Sequence, residues 1–171
     1  MLHKVLGLDT GMRNMGVSVV STSGKVVYTA HIRPILPAKF VGLYWLPVLL
    51  EVLFKHKPDA LFAESVHYGG KLRVSGLLSL CPMLGTIRDA WLLYAMEFGK
   101  SPVNGLHVVT PASARQAVLG KGSSKKNVVE AYYLKLGLGK EKALSSHEYD
   151  ATLLADYGLR ALYNKQIRKQ K

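Results

Sequence analysis

The chain is poor in acid. Only 11 of its 171 residues are Asp or Glu, against 23 Lys plus Arg, for a formal charge of +12 and a pI near 9.8. That balance points to a polyanionic partner, nucleic acid first and an anionic membrane surface second, with a basic enzyme unrelated to either as the alternative. Cysteine is scarcer still. Cys81 stands alone, which excludes an intramolecular disulfide and a cysteine-built zinc site. It is expected to be a buried apolar residue in a reducing compartment. Long hydrophobic runs are also missing. LYWLPVLLEVLF contains Pro47 and Glu51, and VSGLLSLCPMLGTI contains Pro82; both are shorter than a bilayer span. MLHKVLG lacks a signal-peptide core, so a soluble, cytoplasmic protein with no membrane partner is expected. With 49% apolar residues and neither repeat nor linker, residues 1–171 read as a single domain able to bury a full core.

What is present is a run of short strands followed by alternating elements. Residues 4–9 (KVLGLD) have the composition of a buried central strand. TGMRN makes a turn, GVSVVST resumes as a strand, and SGK at 23–25 turns into KVVYTAHI, an antiparallel meander. Helical spacing runs from about 38 to 56, with a kink or restart expected at Pro47. LFA is a short strand ending at Glu64, followed by the loop HYGGKLRVSG. Residues 83–98 read as a helix closed by Gly99, and GLHVVT as another strand. Thr110 is an N-cap for PASARQAVL, with Pro111 at the first helical position. GKGSS breaks that helix before KKNVVEAYYLKLG begins the next. A last helix covers about 146 to 164 and leaves a basic tail from about 165, within KQIRKQK. The order implies an α/β fold, a mixed sheet of five strands flanked by helices; it resembles the order of the ribonuclease H-like fold.

With so few acids, their placement is informative. Glu51, Asp89, Glu97, Glu130 and Glu141 fall on helix faces or in loops, and Asp59 precedes a strand. Asp9 and Glu64 instead end short apolar strands, where ligand sites of layered α/β sheets collect; a capping or turn-forming acid is the other reading of each. In SSHEYDATLLADYG, His147 and Asp150 are three apart and share a helix face. Glu148 lies one step around, and Asp156 points elsewhere. Ala151, Leu153, Leu154 and Leu159 would pack this helix on the sheet, bringing His147 and Asp150 toward Asp9 and Glu64. Oxygen ligands plus one imidazole describe a site for Mg²⁺ or Mn²⁺. Crowded carboxylates repel unless a cation neutralises them, and two cations about 4 Å apart can clamp a phosphodiester displacement. An acidic metal pocket in a basic surface suits a nuclease.

At these residues the sequence resembles the RuvC family of Holliday-junction resolvases. LGLDTGMRNMGVSVV is similar to that family's first-strand motif, FAESV to its second acidic motif, TPASARQAVLGKGSSKKNVV to its helix, G-x-G turn and lysine, and SHEYDATLLADYG to its closing ligand pair. The four occur in family order and span nearly the whole chain. The resemblance implies Asp9, Glu64, His147 and Asp150 as metal ligands for Mg²⁺ or Mn²⁺, two ions per site, with Asp9 shared by both. His147 stands where many relatives carry Asp, which tilts the preference toward Mn²⁺. Arg115 and Lys126 fall where the family places basic residues near the scissile phosphate, Lys126 as part of the catalytic set and Lys125 as an adjacent alternative. Gly120 and Gly122 would let backbone approach phosphate. Tyr68 or His67 would stack on unpaired junction bases, with Lys71 and Arg73 beside them on DNA.

The implied activity is structure-selective cutting of four-way DNA junctions in recombination or repair, in a bacterium or a phage's host cell, by a homodimer cleaving two strands symmetrically. The helix with Trp91, Leu92, Tyr94 and Ala95 would pack the dimer or simply the core. A branched-DNA or RNA nuclease of the same fold, and a non-catalytic junction-binding protein, are the alternatives.

Overall fold

The apolar run KVLGLD forms β1 (Lys4–Asp9), the central strand of a five-stranded sheet. β2 (Met15–Ser21) and β3 (Val26–Ile32) continue antiparallel, giving the expected meander. On the other side of β1 lie the parallel strands β4 (Ala60–Glu64) and β5 (Leu106–Val109), in the order β3-β2-β1-β4-β5. Helices α1 (Val41–His56) and α2 (Val74–Glu97) lead into β4 and β5. They are followed by α3 (Pro111–Leu119), α4 (Lys126–Lys135) and α5 (Ser146–Lys169). This is the expected mixed five-stranded α/β sheet flanked by helices. The computed structural model describes residues 3–11, 13–35, 41–65 and 74–169, and only the backbone of 41–42, 74–80 and 163–169.

Strands buried on both faces read as continuous apolar runs rather than alternating ones, which explains KVLGL and GVSVV. On one face Leu6, Leu8, Val17, Val19, Leu61 and Ala63 pack against Trp45 and Leu49 of α1 and Trp91 and Tyr94 of α2. On the other, Val5, Val20 and Phe62 meet Ala114, Val129, Leu153 and Leu154 of α3, α4 and α5. Among the described residues no helix is long and apolar enough to cross a membrane.

Several boundaries differ from expectation. α1 runs through Pro47 without restarting, and α2 begins at Val74 rather than near 83, with Pro82 inside it. A proline inside a helix costs about 3 kcal/mol; burial of Trp45, Leu49, Met83, Ile87 and Trp91 offsets it. α5 carries on to Lys169, so most of the expected basic tail is helical. Cys81 is exposed, not buried. The buried stripe of α2 runs through Met83, Ile87, Ala90, Trp91, Tyr94 and Ala95 at three- and four-residue spacing, and position 81 lies off it. Trp91, Tyr94 and Ala95 thus belong to the core, while Leu92 is exposed together with Leu93 and Met96.

The start of α5 is set by a capping box. The Ser145 amide and hydroxyl donate to Glu148 Oε2 at 2.9 and 3.0 Å, and the Glu148 amide returns to Ser145 Oγ at 3.3 Å. That is why Glu148 is buried. The helix then lies directly on β1 and β2, with Thr152 Oγ1 donating to Ser18 Oγ at 2.9 Å. Glycine makes the approach possible: a Cβ on Gly7 would collide with the Ala151 carbonyl, and one on Gly16 with the His147 carbonyl. Gly16→Ala should therefore lift the first turn of α5, at a cost of about 1–3 kcal/mol. A melting temperature unchanged from wild type would mean that this contact relaxes freely.

Candidate active site

Because β1 and β4 are parallel neighbours, Asp9 and Glu64 arrive at the same edge of the sheet. Thr10 Oγ1 donates to the Glu64 carbonyl at 3.2 Å and fastens the two strand ends together. Asp9 is only 6% exposed. The first turn of α5 brings His147 over Gly16, the cross-strand neighbour of Asp9, and His147 Nδ1 donates to Asp9 Oδ2 at 2.6 Å. One turn on, Asp150 receives Lys126 Nζ on Oδ2 at 3.0 Å, with Arg115 Nη2 at 3.7 Å from Oδ1.

The electrostatics follow from this crowding. Burial, then the Asp9 carboxylate as hydrogen-bond partner and as like charge, then Asp150, push the Glu64 carboxyl up to about 9, against the pull of Lys126. Glu64 is therefore protonated near neutral pH, with Asp9 the natural acceptor of its proton. Desolvation works against the Lys126 ammonium, but its hydrogen bond to Asp150 and the charges of Asp150, Asp9 and Glu64 hold it above the usual lysine range.

The structure thus assembles Asp9, Glu64, His147, Asp150, Lys126 and Arg115. Lys126 opens α4 and, though half exposed, sets its Nζ on Asp150, whereas its neighbour Lys125 is an N-cap without a side-chain cap bond. The preceding G-x-G turn is braced by Gln116, whose Nε2 donates to the Gly120 carbonyl at 3.0 Å and whose Oε1 accepts from the Gly122 amide at 3.0 Å. Gly120 closes α3 in the left-handed region at φ 79°, where glycine is at home. His67, Tyr68, Lys71 and Arg73 lie outside the described residues.

Among the described residues, no three His, Cys, Asp or Glu side chains are already gathered into a cage for a cation. Asp9 is turned to His147, and Asp150 to Lys126. The donor set nevertheless fits a divalent metal chemically. Three carboxylates and an imidazole meet at one edge, and Glu64 tolerates its neighbours only by keeping a proton that a bound cation would displace. The sequence reading passed over two neighbours of this set. His31 of β3 lies against the His147 ring, with centroids 5.0 Å apart, and its Nε2 is 3.1 Å from Asn14 Oδ1. Only the strand register could have revealed them.

No protein-family model and no curated protein matches the sequence. Solved structures do. Thermus thermophilus RuvC superimposes with a TM-score of 0.72 at 26% identity, covering 94% of this chain and 96% of its own. T. thermophilus RuvC in complex with a Holliday junction substrate gives 0.71 at 25% identity, over 95% and 96% of the two chains. The yeast mitochondrial Holliday junction resolvase Ydc2 shares the fold, with a TM-score of 0.59 at 16% identity over 98% of this chain and 84% of that one. In architecture and in the order of its motifs the chain is RuvC-like, a ribonuclease H-like fold similar over nearly its whole length to the Holliday junction resolvases of that family.

Proposed function

We propose that the protein is an endonuclease selective for four-way DNA junctions, acting as one RuvC-like domain over residues 1–171. The observation that carries this reading is the meeting of Asp9, Glu64, His147 and Asp150 with Lys126 at one edge of the sheet. Asp9, Glu64, His147 and Asp150 would hold Mg²⁺ or Mn²⁺, two ions in all. Bound there, the metal supplies charge neutralisation and an activated water for phosphodiester hydrolysis.

The protein's own groups have distinct tasks. His147 orients the Asp9 carboxylate through its 2.6 Å contact. Lys126 and Arg115 keep Asp150 paired when the site is empty; with DNA bound, they turn their charge to the phosphate being cut. Lys125 beside them, and His67, Tyr68, Lys71 and Arg73 in the sequence after Glu64, serve the rest of the junction. With a formal charge of +12, affinity falls steeply as salt rises. A homodimer would present two such sites to a two-fold symmetric substrate, with exposed Leu92, Leu93 and Met96 of α2 at the contact.

The test uses purified protein with Mg²⁺ or Mn²⁺, a labelled four-way junction and a linear duplex of matched sequence. Paired symmetric nicks confined to the junction are expected. Equal cutting of both DNAs would make the protein a general nuclease, and binding without cutting a junction-binding module. Lys126→Ala should slow cutting by roughly 100-fold, as expected for removal of a preorganised charge from a phosphate-facing site. A wild-type rate in single-turnover cleavage would reduce the G-x-G segment to a structural loop.

A further inference from the structure

The sheet places a second histidine in the row that carries Asp9. Across three strands, Asp9 pairs with Gly16 and Gly16 with His31, so all three positions face α5. Gly16 has no side chain, and the backbone of His147 occupies that space. The His147 ring consequently lies between Asp9 on one side, 2.6 Å from its Nδ1, and the His31 ring on the other, 5.0 Å between centroids at an interplanar angle of 36°. His31 is itself tied down: its Nε2 is 3.1 Å from Asn14 Oδ1, in the turn that begins immediately after Asp9. Asp9, His147, His31 and Asn14 therefore close a ring of contacts that starts and ends on the β1–β2 turn.

We propose that His31 is a positioning residue of this site: held by Asn14 and laid against His147, it fixes the ring plane and tautomer in which His147 meets Asp9. The inference rests on the nuclease reading for its purpose, though not for its geometry. An imidazole whose Nδ1 bonds a carboxylate still rotates about its side-chain torsions unless something packs on its face, and no other ring contact to His147 exists among the described residues. With Asn14 Oδ1 as acceptor, His31 Nε2 is the donor of this contact. Supporting groups of this kind typically change metal affinity or activity by roughly 10- to 100-fold when removed.

Three variants separate the ring from the tether. His31→Ala removes both, His31→Gln keeps an amide that can donate to Asn14 but has no ring, and His31→Phe keeps the ring without the tether. The first readout is the nitrogen NMR signature of the His147 imidazole in the metal-free protein, which requires neither DNA nor turnover. Wild type and His31→Phe should show one dominant tautomer with the proton on Nδ1; His31→Ala and His31→Gln should show averaging. The second is Mn²⁺ titration without DNA, where Ala and Gln should bind roughly 10- to 100-fold more weakly and Phe within a few-fold of wild type. Junction affinity in the absence of metal should not move in any of the three.

If folded His31→Ala and His31→Gln keep the wild-type His147 spectrum and Mn²⁺ affinity, the proposal is overturned. Should His31→Ala not fold, Gln against Phe makes the same decision, since an identical pair would show that the ring does nothing for His147. If wild-type protein neither binds Mn²⁺ nor cuts DNA, the nuclease reading falls, and the NMR comparison alone decides whether His31 positions His147.

Discussion

Asp9→Asn is expected to abolish junction cleavage, by on the order of 10³-fold or more, while leaving junction binding within a few-fold of wild type. The substitution preserves shape and removes the charge from a residue that is 6% exposed and sits between His147 and Glu64. On the proposed reading it strikes three functions together: the shared metal ligand, the partner that orients His147, and the acceptor for the Glu64 proton. DNA affinity would come mainly from lysines and arginines of the chain and would not depend on this carboxylate. Single-turnover cleavage and a gel-shift titration in metal-free buffer check the two halves of the statement. Unchanged turnover would remove Asp9 from the mechanism, and loss of binding would mean that the variant had disturbed the fold.

Glu64→Gln should inactivate the protein and, in the absence of metal, stabilise it. Glu64 has a folded pKa of about 9 against 4.5 ordinarily. A pKa raised on folding gives a contribution that is fully present below the unfolded value and lost as pH rises through the folded one. Between about pH 4.5 and 9, metal-free wild type should therefore lose stability by at most about 1.4 kcal/mol per pH unit from this group, or roughly 2–4 °C in melting temperature for each kcal/mol in a chain of this size. Asp156 is also raised, chiefly by burial, while its hydrogen bond from Tyr133 at 2.7 Å pulls the other way, and its contribution has the same sign. Glu64→Gln removes only the first part of the slope. The neutral amide needs no proton to sit beside Asp9, so the variant should gain on wild type most clearly near pH 8 to 9. Mn²⁺ should raise the wild-type melting temperature more at pH 8 than at pH 5, and should do little for the variant. Parallel curves for the two proteins across this range would show that Glu64 is not strained by its neighbours.

Much of the candidate site was legible in the sequence for local reasons. Asp9 and Glu64 stand out because an acid at the end of an apolar strand has few explanations, and two parallel neighbouring strands carry both to one edge. His147 and Asp150 are three apart on a helix whose start is spelled by Ser145 and Glu148, a signature available in the string SSHE. Lys126 and Lys125 could not be separated by sequence. The N-cap position leaves Lys125 outside the first turn of α4, and Lys126, one residue on, points at Asp150.

Other features depended on long-range packing. Local propensity predicted a kink or restart at Pro47 and began the next helix only after Pro82, because the burial that sustains both helices involves residues distant in the chain. Cys81 was misplaced because an apolar residue in an apolar run carries no mark of which way it faces. The clearest case is His31. Between Val19 and Val20 the β2–β3 ladder slips by one residue, after which Ser18 pairs with Thr29, Val17 with Ala30 and Gly16 with His31. Counted from the hairpin turn without that bulge, His31 would oppose Met15 and face the other layer, away from Asp9. A one-residue slip turns every side chain of a strand over. The sequence by itself determined which residues are candidates for the chemistry, since their type and local spacing are written in the chain. Only the tertiary structure decided which of them touch, because register and packing sum weak contacts over segments that no local stretch encodes.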